Sequence, residues 1–108
     1  RAEADIIILL SNAGAEMNKI IAAQVPEIDI IISGGKDPLS LPAQPTPGSV
    51  MVQAEHSSAG SAGRQVGALQ ATFNGLGGLT GYSWESTRLD PNVADDPEVA
   101  AWVESLKP

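Results

Sequence analysis

The chain has 108 residues, a formal net charge of −7 and no cysteine. A chain of this length forms one domain or part of one. Its 13 acidic residues against 6 basic ones argue against a nucleic-acid partner, which would need a positive field. The lack of cysteine excludes a disulfide framework and a thiolate zinc site. The longest aliphatic run, residues 6–10, is too short to cross a bilayer, so direct membrane insertion is not expected.

Residues 1–35 predict a βαβ unit. The aliphatic runs at residues 6–10 and 28–32 are typical of strands that are buried on both faces. Between them, residues 15–25 have the spacing of a helix, which Pro26 ends. The expected stripe at helical spacing consists of Met17, Ile20, Ile21 and Gln24 or Val25, and the expected other face of Glu16, Asn18 and Lys19.

The next segments predict a loop and antiparallel strands. Residues 36–48 contain four prolines and predict a loop of extended pieces. Residues 49–89 predict antiparallel strands, the last two of them joined as a hairpin by the glycine-rich turn at 74–78.

Residues 96–106 predict a C-terminal helix. Asp96 suits the N-cap and Pro97 the first helical position. An apolar stripe follows at i, i+3, i+4 and i+7, and we expect Trp102, which lies on it, to be in the core. The stripe consists of Val99, Trp102, Val103 and Leu106.

The predicted fold class is therefore mixed α/β: a βαβ unit followed by antiparallel strands and a C-terminal helix. Two parallel strands that are buried on both faces need neighbouring strands and helices on each side, and only one helix is available beside them. We therefore expect the sheet to begin in its middle and to be completed by a protein partner or by an upstream segment.

Ligands of open α/β sheets bind beyond the carboxyl ends of the parallel strands. Here these ends are residues 11–14 and 33–37. Asn12 and Asp37 can offer oxygen atoms to a cation. Both loops can equally be turn structures without a ligand.

The sequence contains two further candidate binding features at this rim, one for a small anion and one for a metal ion or proton transfer. Gly34, Gly35 and Lys36 form a short loop that suits a small anion, although it lacks the spacing of a phosphate-binding loop. His56, the only histidine, can serve as a replacement ligand or acid–base group, or it can be an exposed loop residue.

Four segments, spread over about residues 2–73, resemble motifs of the calcineurin-like metallophosphoesterases of the 5′-nucleotidase, UDP-sugar hydrolase and SoxB type. They are residues 4–14 (ADIIILLSNAG), residues 25–35 (VPEIDIIISGG), Val52-Gln53-Ala54 and Gly63-Arg64-Gln65-Val66-Gly67. The resemblance implies the C-terminal half of the catalytic domain, hence the second half of an αββα sandwich, and a periplasmic or extracellular location.

The family binds two metal ions, which activate a water for attack on a phosphoester. Its metal-binding histidine positions are occupied here by Asn12, Gly35 and Asp37, or by Lys36 if the alignment is shifted by one residue. The resemblance therefore implies a degenerate, non-catalytic module with a structural or interaction role and no cofactor. The alternative is the C-terminal half of an active, 5′-nucleotidase-like phosphoesterase with two divalent metal ions, completed by an N-terminal half outside this chain.

Overall fold

A computed structural model describes residues 3–35, 39, 42–54 and 65–108. This part of the chain forms five strands and two helices in a mixed α/β arrangement. In chain order they are β1 (Ile8–Ser11), α1 (Ala15–Gln24), β2 (Ile30–Ser33), β3 (Val50–Val52), β4 (Gln65–Phe73), β5 (Leu79–Arg88) and α2 (Pro97–Ser105).

The first three strands form a parallel sheet in the order β1-β2-β3. The βαβ unit is therefore confirmed, but the prediction of antiparallel strands over 49–89 is wrong for β3. The reason lies in the preceding loop, where Ala43 pairs with Met51 in an antiparallel bridge. The chain around Ala43 therefore runs antiparallel to β3, and a turn at residues 45–48 reverses it, so that β3 runs parallel to β2.

The second sheet is the predicted hairpin of β4 and β5. Its turn is held by the Asn74 side chain, whose Oδ1 accepts hydrogen bonds from the main-chain N–H groups of Leu76 and Gly78, both at 2.9 Å. Gly77 has a φ of 84°, which a residue with a side chain rarely adopts.

Helix α1 covers one face of the parallel sheet, and of the predicted apolar residues Ile21 packs against the core there. Its buried positions are Ala15, Asn18 and Ala22, whereas Met17 and Ile20 are about half exposed. The two alanines have no bulk to hold the helix away from the sheet, and the amide of Asn18 is hydrogen-bonded beneath it. The predicted assignment of Asn18 to the polar face is therefore wrong.

The hairpin covers part of the opposite face of the parallel sheet. Ile30, Val50 and Val52 are buried there under side chains of the hairpin that include Leu69 and Trp84. The three layers are thus α1, the parallel sheet and the hairpin.

Strand β1 is incompletely covered, contrary to the prediction that it is buried on both faces. Ile7 and Leu9 pack toward α1. On the hairpin side, by contrast, the side chain of Ile8 is 54% exposed and that of Leu10 is 73% exposed.

Helix α2 begins as predicted. Oδ1 of Asp96 accepts hydrogen bonds from the N–H groups of Glu98 (2.9 Å) and Val99 (3.1 Å), and Pro97 is at the helix start. The prediction that Trp102 is in the core is wrong, because this side chain is 63% exposed and no residue of α2 is buried. Amphipathic spacing indicates that a helix can pack against an apolar surface, but not that this surface belongs to the same chain. In the described part of the chain, neither helix has the length and apolar character needed to cross a membrane.

Candidate functional site

The carboxyl ends of β1 and β2 lie side by side, as predicted. Ser11 is the register partner of Ser33, and the N–H of Gly34 donates a 2.8 Å hydrogen bond to the carbonyl oxygen of Ser11. The loops that follow the two strands therefore form one rim, in the position where open α/β sheets bind ligands.

The two glycines after β2 let the second loop pack tightly on the first. A Cβ atom on Gly34 would lie 3.1 Å from Oδ1 of Asn12, and one on Gly35 would lie 3.3 Å from the carbonyl oxygen of Asn12. Gly35 also has a φ of 104°, which disfavours any side chain. The glycines thus have a packing role that does not depend on a ligand.

Beneath the rim, Asn18 joins the two strand ends. The hydroxyl of Ser11 donates to Oδ1 of Asn18 (2.6 Å), and Nδ2 of Asn18 donates to the hydroxyl of Ser33 (3.0 Å). The Asn18 side chain is fully buried. This network was not predicted from the sequence. The features that could have indicated it are a serine at the end of each strand and an amide side chain one helical turn into α1.

The structure brings together only some of the predicted site residues. Asn12 is exposed at the rim, next to Gly34 and Gly35, which are partly buried. Lys36, Asp37 and His56 lie outside the described residues. The proposed anion contact at Lys36 and the replacement role of His56 therefore stay predictions.

The described rim residues do not fit a two-metal centre. Asn12 contributes one amide oxygen and Gly35 contributes no side chain, whereas such a centre needs several carboxylate or imidazole ligands. Within the ranges that the structure describes, no group of three or more His, Cys, Asp or Glu side chains is arranged to hold a metal ion. Asn12 could at most be one ligand of a site completed by other residues.

An apolar groove of about 310 Å³ runs between the parallel sheet and the hairpin. Gly67 on β4 makes room for the Trp84 indole, because a Cβ atom there would overlap the ring. The side chains that line the groove include Ile8, Ile32, Val52, Leu69 and Trp84. The groove therefore opens onto the exposed face of β1.

The outer edge of β1 presents main-chain groups as well as apolar side chains. The carbonyl oxygens of Ile7 and Ser11 accept hydrogen bonds from the chain segment of β2. Because main-chain groups alternate along a strand, those of Ile8 and Leu10 point away from β2. Among the strands that the structure describes, none pairs with this edge.

A scan against protein-family models, a search of curated proteins and a search of solved structures each find no match to this chain.

Proposed function

We propose that this chain is a non-catalytic, metallophosphoesterase-like module with a structural or interaction role in a larger assembly. The observation that supports this proposal is the exposure of β1. This strand has exposed apolar side chains on one face, and its main-chain groups lie along an edge with which no described strand pairs. Such an edge is a template for pairing with a further strand. A protein partner or an upstream segment would complete the sheet there.

The apolar surface that β1 exposes supports an interaction role. Ile8 is 54% exposed and Leu10 is 73% exposed, although both belong to a strand of the parallel sheet.

The chemistry at the rim supports the non-catalytic part of the proposal. Hydrolysis of a phosphoester on two metals needs ligands that hold both ions and the water between them. Asn12 is neutral and Gly35 lacks a side chain, so neither replaces a charged or imidazole ligand. The support for this part of the proposal is that the described residues of the rim offer one neutral amide oxygen and no charged or imidazole side chain.

The direct test is metal analysis of the purified protein, combined with a phosphomonoester assay in added manganese or zinc. We expect no stoichiometric metal and no turnover. An Asn12→Ala variant and a Lys19→Ala control should then behave alike in both measurements. Turnover that requires metal and is lost in Asn12→Ala, but not in Lys19→Ala, would refute the proposal.

The alternative is the C-terminal half of an active phosphoesterase that binds two divalent metal ions. The observation that favours it is that Asn12, whose amide oxygen can bind a cation, is exposed beside the adjacent ends of β1 and β2. This alternative requires an N-terminal half to supply the remaining ligands. Metal-dependent turnover that appears only when such a half is supplied would support it. The resemblance further leads us to propose a periplasmic or extracellular location, which cell fractionation tests.

A further inference from the structure

We propose that helix α2 is a tethered lid that closes over the apolar face of β1 and β2 beside the hairpin. We call this surface the open face and define it by Ile8, Leu10 and Ile32, each about half exposed or more. This inference rests on the proposed interaction role and names what controls access to that surface, since a partner that packs there has to displace α2. The lid covers side chains and leaves the main-chain edge of β1 free.

The open face continues a surface that the hairpin already covers. Ile30 and Val52 are buried beneath the hairpin, whereas their register partners Ile8 and Ile32 line the groove beside Trp84. The uncovered part is therefore two strands wide, which is about 10 Å at the usual strand spacing. A helix with its side chains is about 10–12 Å across. One helix beside the hairpin would therefore complete this layer.

Helix α2 carries an uncovered apolar stripe of matching size. No residue of this helix is buried, so the structure shows the lid in its open position. The stripe is about 10 Å long at 1.5 Å per residue, and the open face runs about 7 Å along β1 between its outermost Cα atoms. At about 100° per residue, Glu98 lies about 90° from the centre of the stripe and Glu104 about 150° from it, so docking buries neither charge. The stripe consists of Val99, Trp102, Val103 and Leu106, which are 44% to 63% exposed.

The link between the hairpin and α2 is long enough for this movement. Residues 89–96 join the end of β5 at Arg88 to the start of α2 at Pro97. Extended, they span up to about 30 Å, and a turn at residues 90–93 shortens this span to about 25 Å. Trp84 marks the groove and lies four residues before Arg88, which is about 14 Å along β5. The link can therefore bring α2 to the open face while the hairpin stays in place.

The tether favours α2 of the same chain over an untethered helix as the occupant of the open face. A short flexible link holds two surfaces at an effective concentration in the millimolar range. The same contact between two copies would bring together chains that each carry a net charge of −7. Closing within one chain also buries apolar side chains of both α2 and β1, which lowers the free energy of the closed state.

Disulfide trapping of the full chain is the first test, because the chain has no native cysteine. Leu10→Cys combined with Val103→Cys should form an intramolecular disulfide on mild oxidation with copper–phenanthroline, at a yield that does not change on dilution. Leu76→Cys combined with Val103→Cys is the matched control, since Leu76 is 96% exposed in the hairpin turn, and its yield should be at least several-fold lower. Equal yields in the two pairs would overturn the inference, as would a cross-link that forms only between chains.

Fluorescence of Trp102 is the second test and needs no cysteine. In Trp84→Phe, Trp102 is the only tryptophan, and acrylamide should quench it about two-fold less in the folded chain than in urea. Adding Leu10→Glu, which places a charge on the open face, should remove this protection, whereas Leu76→Glu should not. Quenching of folded Trp84→Phe as strong as in urea would overturn the lid. Such a result with no metal-dependent turnover refutes the lid alone, whereas metal-dependent turnover refutes the non-catalytic proposal whatever α2 does.

Discussion

Replacing Asn18 by alanine tests the polar network under the rim. The substitution removes two hydrogen bonds, to the hydroxyls of Ser11 and Ser33, at a fully buried position. Each such bond contributes about 1 kcal/mol net, and alanine is the better helix former by about 0.5 kcal/mol. We therefore expect the free energy of unfolding to fall by about 1.5 kcal/mol in Asn18→Ala.

The assay is urea denaturation followed by far-UV circular dichroism, with all variants at one protein concentration. Lys19→Ala is the control in the neighbouring position, since its exposed ion pair with Glu16 is worth about 0.5 kcal/mol or less. A double-mutant cycle of Asn18→Ala with Ser33→Ala isolates one bond and should give a coupling energy of about 1 kcal/mol. A coupling near zero, or equal effects of Asn18→Ala and Lys19→Ala, would refute the network.

Two further outcomes are expected. Gly67→Ala should displace the Trp84 ring, which changes tryptophan emission and lowers the urea midpoint, whereas Gly75→Ala, with open space around it, should do neither. An unchanged emission spectrum in Gly67→Ala would contradict the packing. Asp96→Ala should weaken α2 by about 1 kcal/mol through loss of the N-cap, measured as reduced helical dichroism, and an unchanged signal would argue against the cap.

Much of the local structure could be predicted from the sequence because the signals are short-range. The aliphatic runs at residues 6–10 and 28–32 predicted β1 and β2, and Asn74 with the glycines that follow it predicted the hairpin turn. The N-cap at Asp96 was readable for the same reason, since the residue bonds main-chain groups two and three positions ahead. The adjacency of the two strand ends at the rim followed from the βαβ unit.

The incorrect predictions concern contacts between distant parts of the chain. The direction of β3 depends on the turn at residues 45–48 and on pairing with β2, and the three apolar residues of β3 encode neither. The buried face of α1 was predicted incorrectly at Asn18. Hydrophobic spacing does not take into account the hydroxyls of Ser11 and Ser33, which bond the Asn18 amide and make its burial favourable. Trp102 was placed in the core because its periodicity does not say which molecule covers the helix.

The candidate site was only partly predictable for a related reason. The family resemblance led us to expect that metal-binding histidines are replaced at Asn12 and Gly35, and this expectation remains a prediction. The close packing of the two glycines on the first loop is a contact that the residue types alone do not predict. The need for a further neighbour beside the parallel strands was predicted because only one helix is available to cover them.

Hydrogen exchange at the main-chain amides of β1, followed by NMR, measures most directly whether its edge is paired. In a chain with a paired edge, we predict that the amides of Ile8 and Leu10 exchange as slowly as that of Leu9, which faces β2. In Leu10→Lys, exchange at Ile8 should become fast while Leu9 stays protected. Fast exchange at both Ile8 and Leu10 in the wild-type assembly, under conditions where Leu9 is protected, would show a free edge and contradict the account.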